Sequence, residues 1–230
     1  MKPYRFLPIE DCGEPLVPIP AGRIGLWQPP PYQALGAPYA QLGPYHLRQG
    51  VLTALLAAQD HLEKHHPGWR LLVYDAYRPV TVQRYMVDYT LQTLIATRKL
   101  VASALTVNQC EALLAEVYQV WAVPSDDPRT PPPHSTGAAV DLTLMDGAGR
   151  PADMGSAIDE LSPRSLPDYF APAGPVPDAR YYELRSLLNQ VMTGVGFVRH
   201  PEEWWHFSLG DQLWAWQLGR PAARYGRVGD

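Results

Sequence analysis

The chain has 230 residues, a formal net charge of −4, 46% hydrophobic and 18% charged residues, enough to bury one substantial core and too apolar for a disordered tail. Lys and Arg are scattered without a basic run, which excludes an electrostatic track for nucleic acid. No window approaches the ~20 apolar residues that a membrane-spanning helix needs.

The N-terminal stretch MKPYRFLPIEDCGEPLVPIP has no apolar signal-peptide core and is broken by prolines, so the expected location is cytoplasmic. Residues 1–44 are proline-rich and aperiodic, and Tyr4, Phe6, Trp27, Tyr32, Tyr39 and Tyr45 carry apolar bulk. This reads as an arm wrapped over a core formed by residues 45–230, since a free linker is rarely so aromatic. The two cysteines, Cys12 and Cys110, read as two buried or half-buried thiols, with a single bridge between them as the alternative.

Val51, Leu55, Ala58 and Leu62 repeat at helical spacing, and Pro67-Gly68 stops the helix. His65 and His66 close it. Adjacent helical positions point about 100° apart, so this pair reads as a solvated last turn and not as a metal site. Trp69 to Tyr74 predicts a strand running into Asp75-Ala-Tyr77-Arg78-Pro79, with Pro79 in the first turn of a second helix. Thr106, with Gln109 three residues on, predicts the capped start of a third helix that ends near Pro124.

A loop through Pro133 delivers the chain to His134, and Ala138 to Leu144 reads as a buried strand. Residues 159–178 hold five prolines and read as a long irregular loop, with 161–178 a candidate rim or lid. Tyr181 to Met192 looks helical. Phe197 to His200 and Trp204 to Leu209 read as two strands or one bent strand, followed by a short helix capped by Asp211. Helices first, strands mostly later and no βαβ rhythm predict an α+β fold with a small, mostly antiparallel sheet packed by helices.

Chemistry concentrates in two segments. In His134-Ser-Thr-Gly137-Ala-Ala-Val-Asp141, an acid stands inside an apolar strand. It must face solvent on an edge strand, be paired, or bind a metal. In Glu203-Trp-Trp-His206, two tryptophans separate an acid from an imidazole. The segment reads either as an aromatic core strand with incidental polar ends or as a partly dry pocket wall. Positions three apart in a regular strand face opposite ways, so both side chains reach one cavity only if the backbone bends. Together the segments supply two imidazoles and one carboxylate. That set suits zinc with a fourth position for water, and Glu203 is then a spare general base.

The ordered combination Asp75-Ala-Tyr-Arg78-Pro79, His134-x-x-Gly137-x-Ala139-x-Asp141-Leu-Thr-Leu144, Met154-Gly155-Ser156-x-x-Asp159 and Glu203-Trp-Trp-His206 resembles the D-alanyl-D-alanine dipeptidases. The resemblance covers roughly residues 45 to 210. It implies an α+β fold like that of zinc D-Ala-D-Ala carboxypeptidases and the hedgehog signalling domain, and one Zn2+ per chain on His134, Asp141 and His206. It further implies Glu203 as catalytic base, Arg78 as oxyanion stabiliser, and Asp159, Tyr77 and Ser156 as substrate-binding residues, Asp159 for the ammonium group. The partner implied is a small dipeptide, with no nucleic acid and no membrane.

One position departs from the family's pattern: Pro132 stands where a serine commonly helps hold the substrate's amino end. Two other functions are weighed beside the dipeptidase. One is a carboxypeptidase or endopeptidase acting on longer peptidoglycan stems, which an N-acylated substrate separates from a dipeptidase. The other is a non-catalytic zinc-binding interaction module, which needs neither Glu203 nor Arg78.

Overall fold

The computed structural model describes residues 2–228. After a 3-10 turn at Pro3–Phe6 come strands β1 (Leu16–Pro18) and β2 (Gly25–Leu26), a one-turn helix α1 (Pro31–Ala34) and strand β3 (His46–Arg48). Helix α2 (Gln49–His65), strand β4 (Arg70–Asp75), and helices α3 (Val80–Thr97) and α4 (Val107–Val120) follow. Strand β5 (Ala139–Met145), helix α5 (Ala179–Thr193), strands β6 (Val198–Arg199) and β7 (His206–Ser208) and helix α6 (Gln212–Gln217) complete the fold.

The main sheet has the order β2-β4-β5-β7-β6. Only β2 pairs in parallel, with β4; the other pairs are antiparallel. β1 and β3 form a separate antiparallel pair. The fold is α+β as expected, with one difference in how the chain is used. The proline-rich N-terminal segment supplies strands to both sheets, because prolines are tolerated at the ends and edges of short strands.

Strand β5 is central and buried along almost its whole length. Its alternate residues Val140, Leu142 and Leu144 join a core with Val51, Leu55 and Leu62 of α2 and Leu188, Val191 and Met192 of α5. Strand periodicity turns Asp141 and Thr143 the other way. A second cluster packs there, built from Tyr32, Val82, Met86, Val87, Val117 and Trp121 with Tyr74 beside it. The functional residues lie between that cluster and the sheet. A register shift between Val73 and Asp75 brings Asp75 opposite Asp141, which in turn lies opposite His206. Three polar residues thus form one row across β4, β5 and β7, where the bulge re-aims Asp75.

The helix signals read from sequence have physical counterparts. Thr106 and Gln109 form a reciprocal capping box at α4, and the Asp211 side chain accepts the Trp214 N–H at α6. Pro79 caps α3 and does not enter it. Residues 159–178 contain turns and a 3-10 segment at Pro163–Ser165. They are stapled to α5 by Arg185, which donates to the backbone carbonyls of Met154, Arg164 and Leu166 at 2.8–2.9 Å. Cys12 and Cys110 are free thiols; Cys110 is half-buried as expected, but Cys12 is exposed. Among the described residues no helix is long and apolar enough to cross a membrane.

Candidate active site

His134 lies in a 3-10 turn, Pro133–Thr136, that ends on Gly137 with φ +70°. Glycine is required here twice over: the backbone is left-handed, and a Cβ would overlap the Leu16 side chain. The turn hands the chain to β5, which carries Asp141. His206 opens β7, while Glu203 sits in the turn between β6 and β7. The bend that lets Glu203 and His206 share a cavity is therefore the hairpin connection itself, and the strand expected from Trp204 begins only at His206.

His134, Asp141 and His206 converge, all buried. His134 Nε2 is 3.1 Å from both His206 Nδ1 and Asp141 Oδ2, and His206 Nδ1 is 3.1 Å from Asp141 Oδ1. The outer nitrogens decide what faces the centre. His134 Nδ1 is 2.7 Å from the Ala76 carbonyl oxygen, a pure acceptor, so that nitrogen carries the proton. Ser208 Oγ donates to Asp211 Oδ2 at 2.7 Å and lies 3.3 Å from His206 Nε2, so His206 donates from Nε2. With the outer nitrogens engaged in this way, His134 Nε2 and His206 Nδ1 are the nitrogens turned toward the Asp141 carboxylate. Arg78 meets one side of the carboxylate at 2.9 Å, and the space between the two imidazole nitrogens and the carboxylate suits a further cation.

The spacing fits a metal. Bonds of roughly 2.0–2.1 Å in a tetrahedron put neighbouring ligand atoms ~3.3 Å apart. Burial alone would raise the Asp141 carboxyl, yet positive charge and hydrogen-bond donation at the His134 and His206 positions hold it well below the usual carboxylate range. It stays ionised as a ligand must.

Arg78 is buried against the same row. Its guanidinium donates to Asp75 Oδ2 at 2.9 Å, Asp141 Oδ2 at 2.9 Å, Gln83 Oε1 at 3.1 Å and Tyr32 Oη at 3.2 Å. It also stacks over the rings of Tyr32 and Trp121, 4.7 and 4.9 Å from their centroids. The ion pair with Asp75 therefore exists alongside the contact with Asp141. Burial opposes its charge, but Tyr32, Asp75 and Asp141 hold the guanidinium firmly protonated.

Glu203 is buried, 3.6 Å from His206 Nδ1 and 3.6 Å from His200 Nδ1. Burial, aided by Asp141 and opposed by Lys2, His134 and Arg78, pushes its carboxyl up to about 8. Asp159 adopts a left-handed backbone, φ 63°, and accepts the Tyr32 hydroxyl at 2.7 Å. Burial and Asp141 push this carboxyl up to about 7.

Arg78, His134, Asp141, Asp159, Glu203 and His206 line one small cavity of about 20 Å³, roughly the room of one water-sized sphere. A hollow of about 320 Å³ adjoins it and shares Lys2, Tyr4, Ala122 and Pro133 with it. Pro132 lines the hollow. Ser156 lines a different cleft of about 610 Å³. Its hydroxyl is engaged by Trp204 Nε1 at 2.8 Å and Arg185 at 3.1 Å. Tyr77 is buried just before Arg78, its N–H donating to the Pro44 carbonyl at 2.8 Å. His65 lies exposed at the end of α2, away from this site.

Sequence reasoning missed Tyr32, His200, Ser208 and Lys2, which complete the site. Tyr32 and Lys2 come from the N-terminal segment, where no local pattern marks them. Asp211 is legible as a helix cap but not as the anchor of Ser208.

The family model described as D-ala-D-ala dipeptidase, Peptidase_M15, matches residues 27–223. A D-alanyl-D-alanine dipeptidase of Synechocystis sp. is 50% identical over 240 residues, covering 99% of this chain and 97% of the relative. That of Escherichia coli is 35% identical over 144 residues, 62% of this chain and 56% of the relative. The solved structure of VanYB in complex with D-alanine-D-alanine superposes with a TM-score of 0.45 at 16% identity, covering 79% of this chain and 87% of that one. On the family match and the 50% identity along nearly the whole chain, this protein is a peptidase belonging to the D-alanyl-D-alanine dipeptidase family.

Proposed function

We propose that this enzyme hydrolyses D-Ala-D-Ala or a related free dipeptide, with one zinc ion held by His134 Nε2, the Asp141 carboxylate and His206 Nδ1. The observation that carries the reading is the buried convergence of His134 Nε2, His206 Nδ1 and the two Asp141 carboxylate oxygens, with contacts of 3.1 Å between them. When bound, zinc supplies Lewis acidity, polarising a carbonyl and bringing water toward a pKa of about 7. Three such ligands, one of them a carboxylate, would leave a bound zinc with net positive charge to polarise a carbonyl.

Positive charge on the neighbouring triad would ionise Glu203, and the carboxylate would then take a proton from the attacking water and return it to the leaving nitrogen. Arg78 stays protonated throughout and offers its guanidinium to the oxygen that becomes negative, an interaction that needs no proton transfer. Tyr32, fixed between Arg78 and Asp159, ties the oxyanion group to the acid that accepts the substrate ammonium. Tyr77 and Ser156, which line neither the site cavity nor the adjoining hollow, are assigned no direct substrate contact. Pro132, with neither hydroxyl nor backbone N–H, leaves the amino end to Asp159.

Zinc-loaded protein should release D-alanine from D-Ala-D-Ala and leave the N-acetylated dipeptide intact. Glu203→Ala should lose nearly all turnover while retaining metal. Normal hydrolysis by Glu203→Ala would remove the assignment of the base, and efficient cleavage of the acetylated substrate would favour a carboxypeptidase.

A further inference from the structure

Lys2 lines the site cavity beside Arg78, Asp159, His200 and Glu203 and has no part in the scheme above. Its ammonium nitrogen is 3.2 Å from His200 Nε2 and 3.7 Å from Glu202 Oε2. His200 is buried, and its Nδ1 accepts the Glu202 backbone N–H at 3.2 Å. The ring proton therefore sits on Nε2.

Two donors, an ammonium and an Nε2–H, thus confront each other 3.2 Å apart with no acceptor between them. The logic is that of the metal triad with the sign reversed: there, the converging nitrogens and carboxylate suit a cation, and here, protons require an anion. Glu202 does not fill the place. Its side chain is 55% exposed and 3.7 Å from the ammonium, an arrangement that contributes little in water.

A dipeptide substrate carries one anion of its own, the C-terminal carboxylate. His200 Nδ1 lies 3.6 Å from Glu203 Oε1, and Glu203 must come within about 2.6–3.2 Å of the leaving nitrogen to protonate it. In a dipeptide the C-terminal carboxyl carbon is two bonds beyond that nitrogen, roughly 2.4 Å away. A carboxylate that close to the leaving nitrogen is within reach of the cavity wall beside Glu203, which His200 and Lys2 form. The adjoining hollow of about 320 Å³, which Lys2 also lines, gives the leaving residue room.

We propose that Lys2, together with His200 Nε2–H, binds the C-terminal carboxylate of the substrate and sets a requirement for a free C-terminus. This specificity role rests on the dipeptidase reading. It makes the site complementary to a zwitterion, an acid at the amino end and a cation at the carboxyl end.

The test compares D-Ala-D-Ala with its C-terminal amide in wild type, Lys2→Met and Lys2→Arg. Lys2→Met keeps the aliphatic stem without the charge, and the lysine side chain is 28% exposed, so unfolding midpoints should be unchanged. A hydrogen bond to a charged group is worth roughly tenfold to a hundredfold in affinity. Wild type should favour the free acid by that factor, expressed in KM and not in kcat. Lys2→Met should raise KM for the acid while leaving the amide unaffected, and Lys2→Arg should restore the preference. An acid-to-amide ratio unchanged in Lys2→Met would overturn the proposal and leave the dipeptidase reading standing. If wild type cleaves neither compound, the dipeptidase reading fails, and calorimetric binding of both compounds to the Glu203→Gln protein then decides. A Lys2-dependent preference for the acid supports the carboxylate site, while equal or absent binding overturns it.

Discussion

Replacing Ser208 by Ala tests how the fold fixes the His206 tautomer. Ser208 is fully buried, donates to Asp211 Oδ2 at 2.7 Å and lies 3.3 Å from His206 Nε2. With the hydroxyl gone, His206 is free to move its proton to Nδ1 and donate to Asp141 Oδ1, 3.1 Å away. That tautomer has no lone pair to offer a metal through Nδ1. Metal binding then requires Nε2–H to face a methyl group, and an unsatisfied buried donor costs ~1–3 kcal/mol. The lost bond is long, so the lower part of the range applies, ~1–2 kcal/mol, or roughly 5- to 30-fold weaker zinc binding. That agrees with the roughly 10–100-fold effect typical of groups that orient metal ligands. Competition against a chromophoric zinc chelator at neutral pH measures it, alongside unfolding of the metal-free protein. Unchanged zinc affinity, with the whole effect appearing in metal-free stability, would refute the tautomer argument.

Arg78→Met leaves Asp75 and Asp141 buried without their shared cation. Denaturant unfolding should show a loss of about 3–5 kcal/mol, and kcat/KM should fall about 10²–10³-fold. Gly137→Ala forces a Cβ into the Leu16 side chain at a left-handed position, so unfolding midpoints should drop and zinc affinity should weaken as the His134 turn shifts. Asp159, with its carboxyl pushed up to about 7, must ionise to hold an ammonium. Below that pH, KM for the free dipeptide should rise, and Asp159→Asn should abolish this dependence in the kcat/KM profile. The same shift has a stability sign. The folded pKa lies above the ordinary 3.8, so the Asp159 contribution is fully present below about pH 4 and is lost as pH rises through 7. Metal-free Asp159→Asn should therefore gain stability over wild type across that window, read from denaturant melts at a series of pH values.

Much of the fold was legible because its signals are local. The α2 periodicity, the Thr106–Gln109 cap and the apolar run of β5 each depend on neighbours within one element. Asp141 was conspicuous for a physical reason: an acid in a buried strand must be compensated, and its place on the central strand removes the edge-strand alternative. Glu203 and His206 could be paired only by postulating a bend, which the β6–β7 turn supplies. What stayed hidden depends on distance along the chain. Tyr32 reaches Asp159 across 127 residues and Lys2 reaches His200 across 198, and nothing around either residue anticipates the contact. The proline-rich arm concealed its strands because β2 pairs over only two residues, Gly25 and Leu26, too few to display a period.

The central claim is that His134, Asp141 and His206 together hold a single catalytic metal ion. Elemental analysis of zinc-loaded, gel-filtered protein tests this most directly. Wild type and Glu203→Ala should each carry one zinc per chain, and His206→Ala should carry almost none. Full zinc content in His206→Ala, or none in wild type, would contradict it.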